Sequence, residues 1–126
     1  LSIHTGNRLG HIAVAASLDS FGYGLLEAAS CLADAPETPV LLLYVDAPLP
    51  DSYAPFRLAA EATLPVAVAL LLAAGDGSRI SIGCAANDAG EGADSLAERF
   101  LKFLLSGANG GSATGEHMVW RWSRAA

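Results

Sequence analysis

His11-Ile12-Ala13-Val14-Ala15-Ala16, then Ser20-Phe21-Gly22-Tyr23-Gly24-Leu25-Leu26-Glu27-Ala28, then Val40-Leu41-Leu42-Leu43-Tyr44-Val45 are the stretches whose reading decides the fold. After His11 the first is apolar at both alternating positions, which predicts a central strand covered on both faces. The second follows Ser17 and Asp19, residue types that cap helix N-termini, and runs on to Ala33 with few polar positions. It predicts a helix apolar nearly all round, and therefore enclosed. Gly22 and Gly24 each cost a helix about 1 kcal/mol relative to Ala, so their use predicts close approach of another backbone to its first turn. After the turn cluster Asp34-Ala35-Pro36-Glu37-Thr38-Pro39, the third stretch is a continuous apolar run of strand length. Strand, helix and strand in succession predict a right-handed crossover between parallel strands.

Working outward, the segment from Asp46 to Pro55 carries Pro48, Pro50 and Pro55 and predicts an irregular loop. Pro65 to Ala73 reads as another buried strand, and Gly75-Asp76-Gly77-Ser78 separates it from Arg79 to Ala86, whose first residues alternate polar and apolar. That pattern predicts a hairpin with one half-exposed strand. Ser95 to Leu105 places Leu96, Phe100, Phe103 and Leu104 on one stripe of an amphipathic helix. Gly107 to Gly115 predicts a flexible link, and His117 to Ser123, with Met118, Trp120 and Trp122 in alternation, a terminal strand.

Composition narrows the function classes. The chain has 126 residues, 52% of them hydrophobic and 16% charged. That length suits one domain with a real core, and so few charges predict apolar faces that meet another chain or a further part of this one. The formal net charge is −6 and the basic residues are scattered, which argues against nucleic acid as a partner. The longest apolar stretch, Leu64 to Ala74, is interrupted by Pro65 and falls well short of the roughly 20 residues that cross a bilayer. No membrane span is predicted. Cys31 and Cys84 stand apart among apolar neighbours with neither metal spacing nor a disulfide framework, which suits a reducing cytoplasm.

Catalytic chemistry finds little support in the residues. A nucleophilic thiol needs a nearby base or a helix N-terminus to favour thiolate. Cys31 falls in the third turn of the predicted helix and Cys84 near a strand end, so both read as structural. His4, His11 and His117 show no spacing that sets two ligands on one helical face, so neither a metal site nor a cofactor is expected. The glycine-rich stretches lack the phosphate-binding pattern, and Gly110-Gly111-Ser112-Ala113-Thr114 lacks the second glycine of the hydrolase elbow. Glu27, on an otherwise apolar helix, should meet a polar interface, pair with an arginine such as Arg57, be protonated, or lie at an exposed edge.

Several runs in order carry a family resemblance: Ser2-Ile3 and Thr5-Gly6-Asn7-Arg8, Ala13-Val14-Ala15-Ala16 with Asp19-Ser20-Phe21, Gly24-Leu25-Leu26-Glu27-Ala28, Pro39-Val40-Leu41-Leu42, and Tyr44 with Asp46-Ala47-Pro48-Leu49-Pro50. Together with the closing Trp120-Arg121-Trp122, the chain resembles beta-ketoacyl-synthase-like proteins of the N-terminal-domain family and the chain-length-factor type, in the thiolase-like superfamily. The resemblance implies an α/β chain, a partial thiolase-like fold whose mixed sheet has a buried central helix. Residues 1–126 would form a single domain fragment, the C-terminal part of such a protein, with its upstream strands missing.

In active ketosynthases a strand delivers a nucleophilic Cys to the start of a buried helix, and by register that place falls to Val14. The His-Gly-Thr-Gly-Thr and Asn-x-x-Gly-Phe-Gly-Gly patterns of those enzymes do not occur, and His4 and His11 stand where the family would have small or polar residues. The resemblance thus implies a subunit without catalytic residues of its own. It would partner an active ketosynthase and, indirectly, an acyl carrier protein, in polyketide, aryl-polyene or fatty-acid-like synthesis in the cytoplasm. The superfamily's strand pairing across the dimer interface implies His11, Ile12, Val14 and Ala16 as the partner face. The alternatives are an acyltransferase or thiol enzyme using Cys31 or Cys84, and a stand-alone small-molecule-binding domain.

Overall fold

The computed structural model describes residues 2–57, 64–75, 77–90, 92 and 94–125. A short helix α1 (Ser2–Thr5) leads into an irregular stretch, and helix α2 (Ser20–Asp34) follows a 3-10 turn at Ser17–Asp19. Strands β1 (Val40–Asp46) and β2 (Val66–Leu72) are joined by a loop that contains a second 3-10 turn at Asp51–Phe56. Then come β3 (Ile80–Ala86), helix α3 (Leu96–Ser106), β4 (Gly110–Thr114) and β5 (Met118–Arg124). The strands form two sheets, β1-β2 and β3-β5-β4, with every pairing antiparallel.

Helix α2 has the predicted start, and its burial is one-sided. Phe21, Gly22, Gly24, Leu25 and Ala28 face the core, whereas Leu26 is 40% exposed. Helix α3 buries the predicted stripe through Leu96, Ala97, Phe100 and Phe103, and Gly107 ends it in the left-handed conformation that glycine adopts without cost. Arg124 then reaches the last turn: its Nη2–H and Nε–H donate to the carbonyls of Leu104 (2.8 Å) and Ala108 (3.0 Å), and its guanidinium lies 5.1 Å from the centre of the Phe103 ring. A cation at a helix C-terminus is favoured by the orphan carbonyls and the helix dipole.

The core is aromatic. Trp120 and Trp122 on β5 point to one side of the sheet and meet rings from both long helices. Tyr23 stands edge-on to Trp120 at 5.0 Å between centroids, Phe100 edge-on to Trp122 at 5.3 Å, and Phe21 edge-on to Tyr44 of β1 at 5.2 Å. The edge-to-face arrangement sets the positive ring rim against the negative ring face, adding about 0.5–1.5 kcal/mol per pair beyond area burial.

Four expectations about the strands change, beside the expected full enclosure of α2. Residues 11–16 form no strand and are largely exposed, because among the described residues no strand lies alongside to pair the backbone. The predicted parallel crossover is absent for the same reason, and β1 pairs antiparallel with β2 from Val40 opposite Leu72 to Asp46 opposite Val66. The predicted hairpin between β2 and β3 does not form: each belongs to a different sheet, and Asp76 of its turn lies outside the described residues. The glycine-rich link contains β4 instead, where Gly111 leaves room for the Trp122 indole and Ala113 is buried. In that strand glycine makes space for a bulky neighbour.

Candidate functional site

The turn that leads into α2 is built around Asp19, which is 1% exposed. Its position before Ser20 suits a helix cap, yet its carboxyl makes no capping bond. It accepts instead from the indole Nε1–H of Trp120 at 2.9 Å and from the backbone N–H of His117 at 2.8 Å. A buried carboxyl needs partners, and a buried indole N–H needs an acceptor; each answers the other. Neighbouring glycines make the fit possible. A Cβ at Gly115 would collide with the Asp19 carboxyl, and one at Gly22 would collide with the Trp120 ring. The turn Gly115-Glu116-His117 is braced from its other side by Asn87, whose Nδ2 donates to the carbonyls of Gly115 and Glu116, both at 3.2 Å.

Around Asp19 the backbone is tightly organised. The Ala16 N–H donates to Ser20 Oγ at 2.8 Å, the Ser20 hydroxyl donates to the Ser17 carbonyl at 2.7 Å, and the Asp19 N–H donates to the Ala16 carbonyl at 3.0 Å. Ser17 holds φ at 50°, a left-handed conformation that costs a side-chain-bearing residue about 1–2 kcal/mol. Among the described residues it alone does so without being glycine. Such strain persists where the surroundings hold it, and these three hydrogen bonds do.

From this turn the chain runs back as an exposed segment. Ile12 is 65% exposed, Val14 40%, His11 is exposed and Ala16 is half-buried. Val14 therefore does not stand at a helix start: the 3-10 turn and the Asp19 cap position separate it from α2, and the first-turn place belongs to Ser20. A second apolar surface lies on the β1-β2 sheet. Its inner face, with Leu42, Tyr44, Val66, Val68 and Leu70, joins the core, while Leu41, Leu43, Val45 and Leu71 face outward. A sheet face meant for water would alternate to polar residues there.

The other candidates stay apart. Cys31 lies well inside α2 with its Sγ 3.8 Å from Glu27 Oε1, so Glu27 meets a thiol, while Arg57 pairs with Asp51 at 2.9 Å. Cys84 is exposed on β3. His117 contributes its backbone to Asp19 while its ring stays in solvent. Among the described residues no cluster of His, Cys, Asp and Glu could hold a metal ion, and no helix is long and apolar enough to cross a membrane. Tyr44 has its pKa raised to about 12 by burial first, then by the charge of Asp46 and the hydrogen bond to it. Sequence reading missed the Asp19 clasp. A lone Asp ahead of an apolar helix, and a tryptophan whose N–H must find an acceptor, were the available signals.

This layered arrangement of helices and sheets is a thiolase-like fold. It superposes on a solved structure of a ketosynthase, ApeO, in complex with its chain length factor, ApeC, from Xenorhabdus doucetiae, with a TM-score of 0.82 and 31% sequence identity. The likeness covers 98% of this chain and 50% of that one, so the chain spans about half the length of the protein it matches. The chain belongs to the beta-ketoacyl synthase, N-terminal domain family, which it matches over residues 1–123. No curated protein matches the chain.

Proposed function

We propose that this chain is part of a ketosynthase-like subunit of the chain-length-factor type, one that pairs with an active ketosynthase and shapes its acyl tunnel without condensing acyl groups itself. The observation that carries this reading is the likeness, over nearly the whole chain, to a structure in which a ketosynthase is bound to its chain length factor. The exposed segment supports it: His11, Ile12, Val14 and Ala16 form the partner face, with two large apolar side chains presented to solvent. Isolated exposed apolar residues are ordinary, but several of them close together on a segment that has no ladder of its own among the described residues suit association with another chain. Neither thiol sits at a helix N-terminus, where thiolate would be favoured. The pathway is polyketide, aryl-polyene or fatty-acid-like synthesis on an acyl carrier protein, in the cytoplasm.

Co-expression of the full-length protein with a candidate ketosynthase from the same source, followed by size-exclusion chromatography with mass determination, tests the reading. A one-to-one complex is expected, with no transfer of radiolabelled acyl groups from carrier protein to this chain. A stable monomer that ignores the ketosynthase would overturn it. An alkylation assay addresses a thiol enzyme: exposed Cys84 should react at the rate of an ordinary free thiol, whereas a catalytic thiolate would react far faster near neutral pH.

A further inference from the structure

We infer that Asp19 is a positioning residue for the partner face: its buried carboxyl sets the direction in which residues 11–16 leave the body of the protein. The inference rests on the reading of those residues as the face that meets the ketosynthase. Its basis is where the segment is held. Ile12 and Val14 are exposed, so packing of the segment's own side chains does little to fix it. The hold is at its end. Ala16 is gripped at both backbone groups, its N–H by Ser20 Oγ and its carbonyl by the Asp19 N–H, and Ser17 turns the corner at φ 50°. That corner is tied to the rest of the fold by the Asp19 side chain, which reaches residues 98 and 101 positions away, at the His117 N–H and the Trp120 indole.

The clasp is closely packed. Gly115 leaves no room for a side chain beside the carboxyl, and Gly22 receives the Trp120 ring, so the backbone closes on both partners of the Asp19–Trp120 bond. A segment held ready in its bound direction loses less conformational freedom on binding, and affinity rises accordingly. The strained corner fits this role: Ser17 holds a left-handed conformation that glycine would adopt without strain, and a side chain at that φ has fewer alternatives than glycine.

Two variants of the full chain test it. Asp19→Asn keeps the shape and one acceptor but turns an N–H donor toward either the His117 N–H or the Trp120 indole, leaving opposed donors. Ser17→Gly relieves the strain and frees the corner. Amide hydrogen exchange at Ala16 and affinity for the ketosynthase are measured for both, beside the thermal midpoint. Expected for Asp19→Asn is exchange at Ala16 faster by roughly tenfold or more, with partner affinity weakened by a similar factor. Expected for Ser17→Gly is an unchanged or higher midpoint with affinity lower by roughly three- to tenfold, a separation that a merely structural role would not produce.

Unchanged exchange at Ala16 in Asp19→Asn would overturn the clasp, and wild-type affinity in Ser17→Gly would overturn its role in positioning. If Asp19→Asn fails to fold, Ser17→Gly still decides the matter. Should the wild-type protein bind no ketosynthase, the partner reading itself falls, and the exchange data separately decide whether Asp19 controls the segment.

Discussion

Two sets of apolar residues in this molecule end in opposite states. In one, Phe21, Leu25, Phe100, Trp120 and Trp122 close into an aromatic core with an internal polar clasp. In the other, Ile12, Val14, Leu41, Val45 and Leu71 stand in solvent. The difference is in what surrounds each set. The core residues come from elements that face one another across the β5 strand, and every ring finds a ring at contact distance. The exposed residues sit on an irregular segment and on the outer face of a two-stranded sheet, where among the described residues no element is stacked. Apolarity says that a side chain gains by burial; it does not say that this chain alone supplies the cover.

Perturbing each side should break that contrast in a graded way. Trp120→Ala is expected to have the largest effect, a loss of about 3–5 kcal/mol in urea-induced unfolding, because it empties the centre of the core and strips Asp19 of a donor. An unfolding midpoint close to wild type would show that the core is not centred there. Gly22→Ala should follow at about 1–3 kcal/mol, since its new methyl would overlap the Trp120 ring; circular dichroism during thermal melting reads the cost.

Tyr44 offers a pH probe of the boundary between the two sides. Its pKa is raised to about 12 from an ordinary value near 10, so the folded state holds its proton more tightly than the unfolded chain does. The stability this contributes is complete below about pH 10 and is lost as pH rises toward about 12. Phenolate absorbance should show one tyrosine ionising near pH 12, and Tyr44→Phe should flatten the alkaline limb of the stability curve; an unchanged limb would place the coupling elsewhere.

Smaller effects sharpen the other side. Full enclosure of α2 would make Leu26→Asp abolish folding, but with Leu26 40% exposed the expected loss is about 1 kcal/mol, read from the thermal midpoint. Collapse of the fold would restore the enclosed helix. Leu71→Lys, on the outer face of β2, should change stability of the chain by less than about 0.5 kcal/mol in the same measurement. A large loss there would mean that the face is covered.

Much of the local structure was legible. Helix α2 starts at the predicted Ser20, α3 buries the predicted stripe, and β1, β2 and β5 fall within a residue or two of their expected ends. These elements have strong periodicity or flanking turn residues, so local information suffices. The misses among the strands are questions of partnership. Residues 11–16 look like a strand, but a strand exists only beside another. β4 looks like a linker until the Trp122 indole gives its Gly111 a reason. The family resemblance reached the ketosynthase-like assignment that the match over residues 1–123 bears out, yet the place given to Val14 at a helix start was wrong, because the intervening turn carries the residues that lead into α2.

Asp19 marks the boundary between the two kinds of knowledge. Its residue type and its place before an apolar helix, written in the sequence, predicted a cap at that end of α2, and the helix does begin there. Where its carboxyl points was settled by residues about a hundred positions later, since only the folded chain brings the Trp120 indole and the His117 N–H to it. Periodicity and turn chemistry act over a few residues and can be read in order along a chain, so the sequence by itself determined the two long helices, most strands and the family. Strand pairing, burial and the meeting of a carboxyl with its donors depend on distant segments, and those only the tertiary structure decided.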